Sequence, residues 1–340
     1  MKKLRAFPCA FLFALILPFG VAADTALVDR IVSDHIIPRF QKLADTTEQL
    51  AQTAAQTCDL TNGQLLTDYN AAFDAWVGVS HMRFGPTEQE DRAFALAFWP
   101  DTRGKTPKAL RQMISEEDPI VGVDGGYKDA SIAVRGFYAM EFLLYDGPTQ
   151  ALGHPDYQCA LLRAMTKDSA RISRDILDDW QPDYAALMLS AGQNTRYQTE
   201  KEVLQELYKA VNTGFEFTKD IRLGRPLGTF DKPRPKRAEA RRAGRSLRNV
   251  ELATYGPLEL ARLLAGSNQG LQERYDVLEE YFAKAVAKAD DPVFAGVADP
   301  QHRIKVEIIQ QSVDRLMEYT QSDLGPYLGV SEGFNALDGD

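Results

Sequence analysis

The chain has 340 residues, enough for one large domain or two ordinary ones. Hydrophobic residues make up 44% and charged residues 26%, which excludes long disorder, and 24 Gly with 17 Pro exclude a collagen-like polymer. Lys+Arg at 39 against Asp+Glu at 48 gives a net charge of -9, so nucleic acid is not an expected partner.

Residues 1–23 read as a cleavable export signal. Lys2, Lys3 and Arg5 form a positive start, Ala10 to Leu17 an unbroken apolar run, and Val21-Ala22-Ala23 the small residues before a signal-peptidase cut. A membrane anchor is the alternative, but the run is shorter than the ~20 apolar residues a span needs. Cys9 precedes the apolar run, whereas a lipid-modified cysteine would follow it. The expected location is therefore a bacterial periplasm or cell envelope, with no transmembrane anchor after cleavage. Cleavage leaves Cys58 and Cys159, too far apart for a CxxC motif. In an oxidising compartment they read as a disulfide, with two buried free thiols as the alternative.

The rest of the chain reads as helix. Breaks are expected at Asp59 to Gly63, Phe84-Gly85-Pro86, Trp99-Pro100-Asp101, Asp118 to Lys128, Asp146-Gly147-Pro148 and Arg225 to Pro235. Apolar stripes at helical spacing run through Leu162, Met165, Ile172 and Ile176, and through Val203, Leu207, Val211 and Phe215. A longer stripe joins Leu260, Leu264, Leu271, Tyr275, Leu278 and Phe282, and another runs from Val306 to Leu316. Alternating strand patterns are scarce. The expected fold is all-α, with a division near residues 150 to 160 into halves spanning 24–155 and 156–340.

Ser131 to Tyr145 is the most informative segment. On a helix, Val134, Tyr138, Glu141 and Tyr145 share one face, and the adjacent row is Ala133, Phe137, Met140 and Leu144. Glu141 is therefore expected to point inward. A buried carboxylate must be paired, bind a metal or take up a proton, so it marks either a functional site or a pin between helices. Gly136, taken as interior to this helix, would let another backbone come close, against ~1 kcal/mol relative to Ala.

Gly136 to Leu144 resembles the GxHxxE helix of the imelysin-like family. Trp76 with Arg83-Phe84-Gly85-Pro86 resembles that family's W…R(F)GP segment, and Phe98-Trp99-Pro100-Asp101 its FWPD turn. Gly329 with Gly333 to Asp340 resembles its GF…DGD tail. The resemblance implies two four-helix-bundle-like halves packed together, a periplasmic location and a pocket between the halves. The family is classed as a peptidase group, with members tied to iron uptake. Tyr138 stands where the family has His. HxxE spacing places two ligands on one helix face, and Tyr serves mainly ferric iron, as a phenolate. None of His35, His81, His154 and His302 has Glu three residues later, and there is no HExxH.

Eight basic residues lie between Lys232 and Arg248, with Glu239 the only acid among them. They read as a solvated face or as an anion site. Arg242 to Asn249 resembles the family's second-half segment facing the pocket. There Arg242, Arg245 and Ser246 would hold a carboxylate, a phosphate or an anionic iron chelate. The expected pocket is thus Arg83, Trp99, Asp101, Gly136, Tyr138, Glu141, Arg242, Arg245 and Ser246, with Glu141 as the candidate metal ligand for iron or another ion. Three functions fit: a non-enzymatic binding protein for a metal or chelate, a metal-dependent peptidase, or an envelope adaptor with a vestigial pocket.

Overall fold

The structure, a computed structural model, describes residues 21–331. Residues 1–20 of the expected export signal and the tail from Gly333 to Asp340 lie outside the described residues. Helix α1 (Val21–Ile31) passes through a π-turn at Val32–Ile36 into α2 (Ile37–Gln56), followed by α3 (Gly63–Val79), a short α4 (Arg92–Leu96) and α5 (Lys105–Glu116). Next come α6 (Gly136–Tyr145), α7 (Gly147–Gln150), α8 (Pro155–Asp179), α9 (Ala185–Leu189), α10 (Glu200–Glu216) and α11 (Gly224–Leu227). The chain closes with α12 (Ser246–Ala265), α13 (Gln269–Ala287), α14 (Pro300–Tyr319) and α15 (Gly325–Leu328). The described residues form no strand, only an isolated bridge between Thr229 and Lys232. None of their helices is long and apolar enough to cross a membrane.

The ends follow from side-chain chemistry. Asn62 accepts hydrogen bonds from the backbone N–H of Gln64 and Leu65, so the expected break at Asp59 to Gly63 ends in the cap of α3. Asp299 caps α14 in the same way, with Pro300 just inside. The π-turns each contain or shortly precede a proline: Pro38, Pro182, Pro226 or Pro326. Proline has no N–H to give the carbonyl four residues back and crowds it, so the helix widens nearby.

Helix α2 packs along α3 and α8, and α6 lies against α8 and α5. Helix α10 packs on α12 and α14, and α13 on α14 and α12. The two sets meet along α3 and α12, and their buried apolar side chains form one continuous cluster. The expected break near residue 155 does not coincide with a change of packing partner. Helix α8 opens at Pro155 yet packs along α2, because its apolar stripe matches that helix. The Cys58–Cys159 disulfide ties α8 to the end of α2 and encloses a sequence separation of 101. A loop of that size stabilises by about 4–5 kcal/mol in the chain-entropy account.

Candidate functional site

Helix α6 is held at its start. Ser131 caps the tight turn that precedes it, and Arg135 clamps Asp168 of α8 through Nε at 2.8 Å and Nη2 at 3.1 Å. Gly136 then opens the helix at φ +71°, so it is the first helical residue, not an interior one. A Cβ there would lie 2.1 Å from the Leu96 carbonyl oxygen, so the chain after α4 crosses α6 where only glycine fits.

Beyond that crossing the helix turns Phe137 and Met140 into the core and Tyr138 and Glu141 toward the second set. Tyr138 is 6% exposed, stacks on Trp99 with ring centres 6.0 Å apart and meets Phe73 edge-on at 5.3 Å. Its hydroxyl donates to Glu239 Oε1. Glu239, 1% exposed, takes Arg222 Nε on its other oxygen at 2.9 Å, and Arg222 lies over the Phe217 ring. Burial first, then the charge of Glu239, pushes the Tyr138 phenol well above its ordinary value. The phenolate that ferric iron requires is thereby disfavoured.

Glu141 is 2% exposed, as its place between apolar rows implied. Its Oε1 accepts from the backbone N–H of Arg242 at 2.8 Å and of Ala243 at 3.3 Å. Burial raises its pKa, against the pull of the Arg242 charge and the two amides. The Arg242 side chain turns away, over the Phe142 ring and onto Asp146 Oδ1 at 2.9 Å. Arg245 lies over Phe73 and bonds Asn70 Oδ1 at 2.6 Å and Asp74. Ser246 opens α12, and its hydroxyl donates to the Glu239 carbonyl.

Trp99, Gly136, Tyr138, Glu141, Arg242, Arg245 and Ser246 thus come together around the contact of α6 with the 239–246 segment. Two expected members do not join. Arg83 is exposed, pairs with Glu88 and covers Phe94. Asp101 caps α5, accepting from the N–H of Lys105 at 2.9 Å and Thr106 at 2.8 Å. The expected open pocket is instead a packed layer of ion pairs, and grooves of about 530 and 430 Å³ open elsewhere, one beside Arg274 and Arg315 and one beside Tyr127 and Lys167. Glu239, Arg222, Asp74 and Asp146 were missed, although Glu239 stands out as the lone acid of the basic run.

A metal does not fit these side chains. The Tyr138 hydroxyl is spent on Glu239, both Glu239 oxygens are engaged, and Glu141 is held by amides. Among the described residues no group of three or more His, Cys, Asp or Glu could hold an ion. The fold does bring together two histidines that looked scattered. His35, in the π-turn, and His81, after α3, are buried with their Nε2 atoms 3.2 Å apart.

Structural relatives agree with this architecture. An imelysin-like protein from Psychrobacter arcticum 273-4 superimposes with a TM-score of 0.78 at 17% identity, covering 94% of this chain and 100% of that one. A putative iron-regulated protein A precursor from Parabacteroides distasonis ATCC 8503 gives 0.74 at 13% identity, covering 90% and 95%. At such identities the likeness shows the fold alone. No curated protein matches the sequence at a significant level. The family model of imelysin, a peptidase M75 family, matches residues 36–319, and the chain belongs to that family.

Proposed function

We propose that this chain is an exported, non-hydrolytic ligand-binding protein of the imelysin family that serves iron handling by taking iron as an anionic chelate. The observation that carries the reading is the fate of the HxxE position. Tyr138 replaces its histidine, and the hydroxyl is locked onto Glu239, itself paired with Arg222. A hydrolytic metal centre needs an open coordination position and strong ligands around it. This layer offers neither. The iron link rests on the Parabacteroides relative, a putative iron-regulated protein A precursor. The export signal at residues 1–23 supports a periplasmic or envelope location.

The test starts from untagged protein recovered from the periplasm of an expressing bacterium. The mature chain is expected to begin at Asp24, to carry no stoichiometric metal, and to leave unfolded protein uncleaved. It is expected to bind ferric citrate more tightly than ferric iron presented by a weak, uncharged chelator. Chelator-sensitive cleavage of unfolded protein would overturn the non-hydrolytic part. Equal or stronger uptake of the bare ion would overturn the chelate part.

A further inference from the structure

Opposite the loop from Asp118 to Lys128, helix α8 carries small residues at its surface. Ala160 and Ala164, one turn apart and half-buried, leave a trough between longer neighbours. Val121, Val123 and Tyr127 of the loop face it across a groove of about 430 Å³. The loop is fastened at both ends, so the groove is preformed. The Tyr157 hydroxyl on α8 donates to the Asp118 carbonyl at 3.2 Å, and the buried Tyr127 hydroxyl donates to the Val134 carbonyl at 2.7 Å. Tyr127 therefore offers the groove its ring and no free hydroxyl. Val123 is 55% exposed, which leaves an apolar wall open to water.

The charges gather toward one end. Lys128 and Arg171 also line an adjoining cavity of about 290 Å³, so they mark where the two meet. Arg171 lies about 16 Å along α8 from Ala160 at the rise of an α-helix. Both acids on the groove are already matched, Asp124 by Lys167 at 2.7 Å and Asp168 by Arg135 and Arg171. Arg171 also holds Asp175, and Arg163 is spent on the Ala54 and Ala55 carbonyls. Lys128 is different. It is exposed and, among the described residues, has no carboxylate within ion-pair distance.

We propose that this groove binds a medium-chain aliphatic carboxylate, its hydrocarbon along Ala160 and Ala164 and its carboxylate at Lys128. An open apolar trough that ends at one uncompensated cation is complementary to an apolar chain that ends in one anion. A concave, mostly apolar site with a single charged group to fix orientation is the usual build of a small-molecule pocket, and the volume suits one. Each methylene laid on the trough adds affinity by leaving water, and the ammonium decides which end of the ligand lies where. The groove is separate from the α6 layer and needs no metal, so it does not depend on the chelate reading.

Calorimetric titration of the purified chain with decanoate, kept below its micelle concentration, tests it. Saturable binding is expected. Decanol, with the chain but not the charge, is expected to bind about tenfold more weakly, a loss of ~1.4 kcal/mol. Acetate, with the charge but not the chain, is expected not to bind. Lys128→Gln, at an exposed position, is expected to bring decanoate down to the affinity of decanol. Ala164→Phe fills the trough and is expected to abolish binding, and Val123→Asp, on the exposed loop, to weaken it. Arg274→Gln, beside the other groove, is expected to bind as the wild type does. No saturable decanoate binding, or unchanged affinity in Lys128→Gln and Val123→Asp, would overturn the site. Decanol binding as tightly as decanoate would overturn the carboxylate assignment. Concentration-dependent dimers that Ala164→Phe abolishes would give the groove to a second copy and overturn the proposal. Decanoate binding by a chain without preference for ferric citrate would leave this groove standing and remove the chelate reading. Ferric citrate binding without decanoate binding would do the reverse.

Discussion

Glu141 lies against two backbone amides, and that decides what its removal does. Burial is the largest influence on its carboxyl and raises the pKa above the ordinary 4.5. A raised acid contributes stability below its unfolded value and loses it as pH climbs through the folded value, so at pH 7 the buried acid is a burden. Glu141→Gln keeps the accepting oxygen and removes the charge. It is expected to unfold in urea at or above the wild-type midpoint at pH 7, with the difference gone by about pH 4, near the unfolded carboxylate value. Glu141→Ala leaves two buried donors unpaired and is expected to lose about 2–4 kcal/mol. Equal losses for Gln and Ala would show that the charge itself is needed. The inward aim of Glu141 was legible because both neighbouring rows on its helix are apolar. Its partners were not, since the amides of Arg242 and Ala243 lie 101 and 102 residues away. Asp101 illustrates the converse. An acid after a proline turn reads equally as a ligand or as a cap, and only the N–H groups of Lys105 and Thr106 decide between them.

Helices were legible wherever one apolar stripe served one helix, as in α8, α10 and α14. The stripe from Leu260 to Phe282 misled because Leu264 and Leu271 keep register across a turn. The chain breaks between α12 and α13 at Gly266, with φ +56°, and both helices still face the same core. The expected third helix shrinks to α4, which is preceded by left-handed residues at Glu90 and Asp91. Where α4 gives way to an extended chain, the Leu96 carbonyl meets Gly136. That contact makes α6 sensitive to one methyl group. Gly136→Ala is expected to cost about 3 kcal/mol or more, combining a left-handed backbone with a clash against backbone atoms that have no rotamer to yield. Gly63→Ala, with nothing within 4 Å of the added carbon, is expected to change stability by under about 1 kcal/mol. Urea midpoints of the two variants measure the difference directly, and similar values would mean that the α4–α6 crossing can relax.

At the scale of the molecule, the N-terminal helix joins the two sets. Helix α1 lies on α10 and α12, whereas α2 lies on α3 and α8. No periodicity reveals this, because a continuous amphipathic helix looks the same whichever bundle each end serves. The π-turn between them carries His35, which meets His81 from α3, while Gly256 and Glu259 of α12 close the other side. Arg39 Nε donates to His35 Nδ1 at 3.2 Å, so His35 carries its proton on Nε2 and donates it to His81. His81 must then be protonated on Nδ1, which is buried without a partner. A proton on either ring would be poorly accommodated beside the Arg39 guanidinium. Burial, then Arg39, lowers the His35 pKa to about 3, and burial followed by His35 and Arg39 lowers that of His81. A depressed base binds its proton in the unfolded chain first, so stability is fully present above about pH 6.5 and drains away as pH falls toward 3. Each such histidine is expected to contribute a slope of up to ~1.4 kcal/mol per pH unit below pH 6, and the pair up to twice that. His35→Gln is expected to remove roughly half of the slope, provided the variant still folds at pH 7. Urea unfolding of the wild type at half-unit steps from pH 7.5 to 4.5 reads the slope without any variant. A flat profile across pH 6 to 5 would mean that the α1–α2 turn opens to hydrate the pair, and that the seam between the two helix sets is looser than its packing implies.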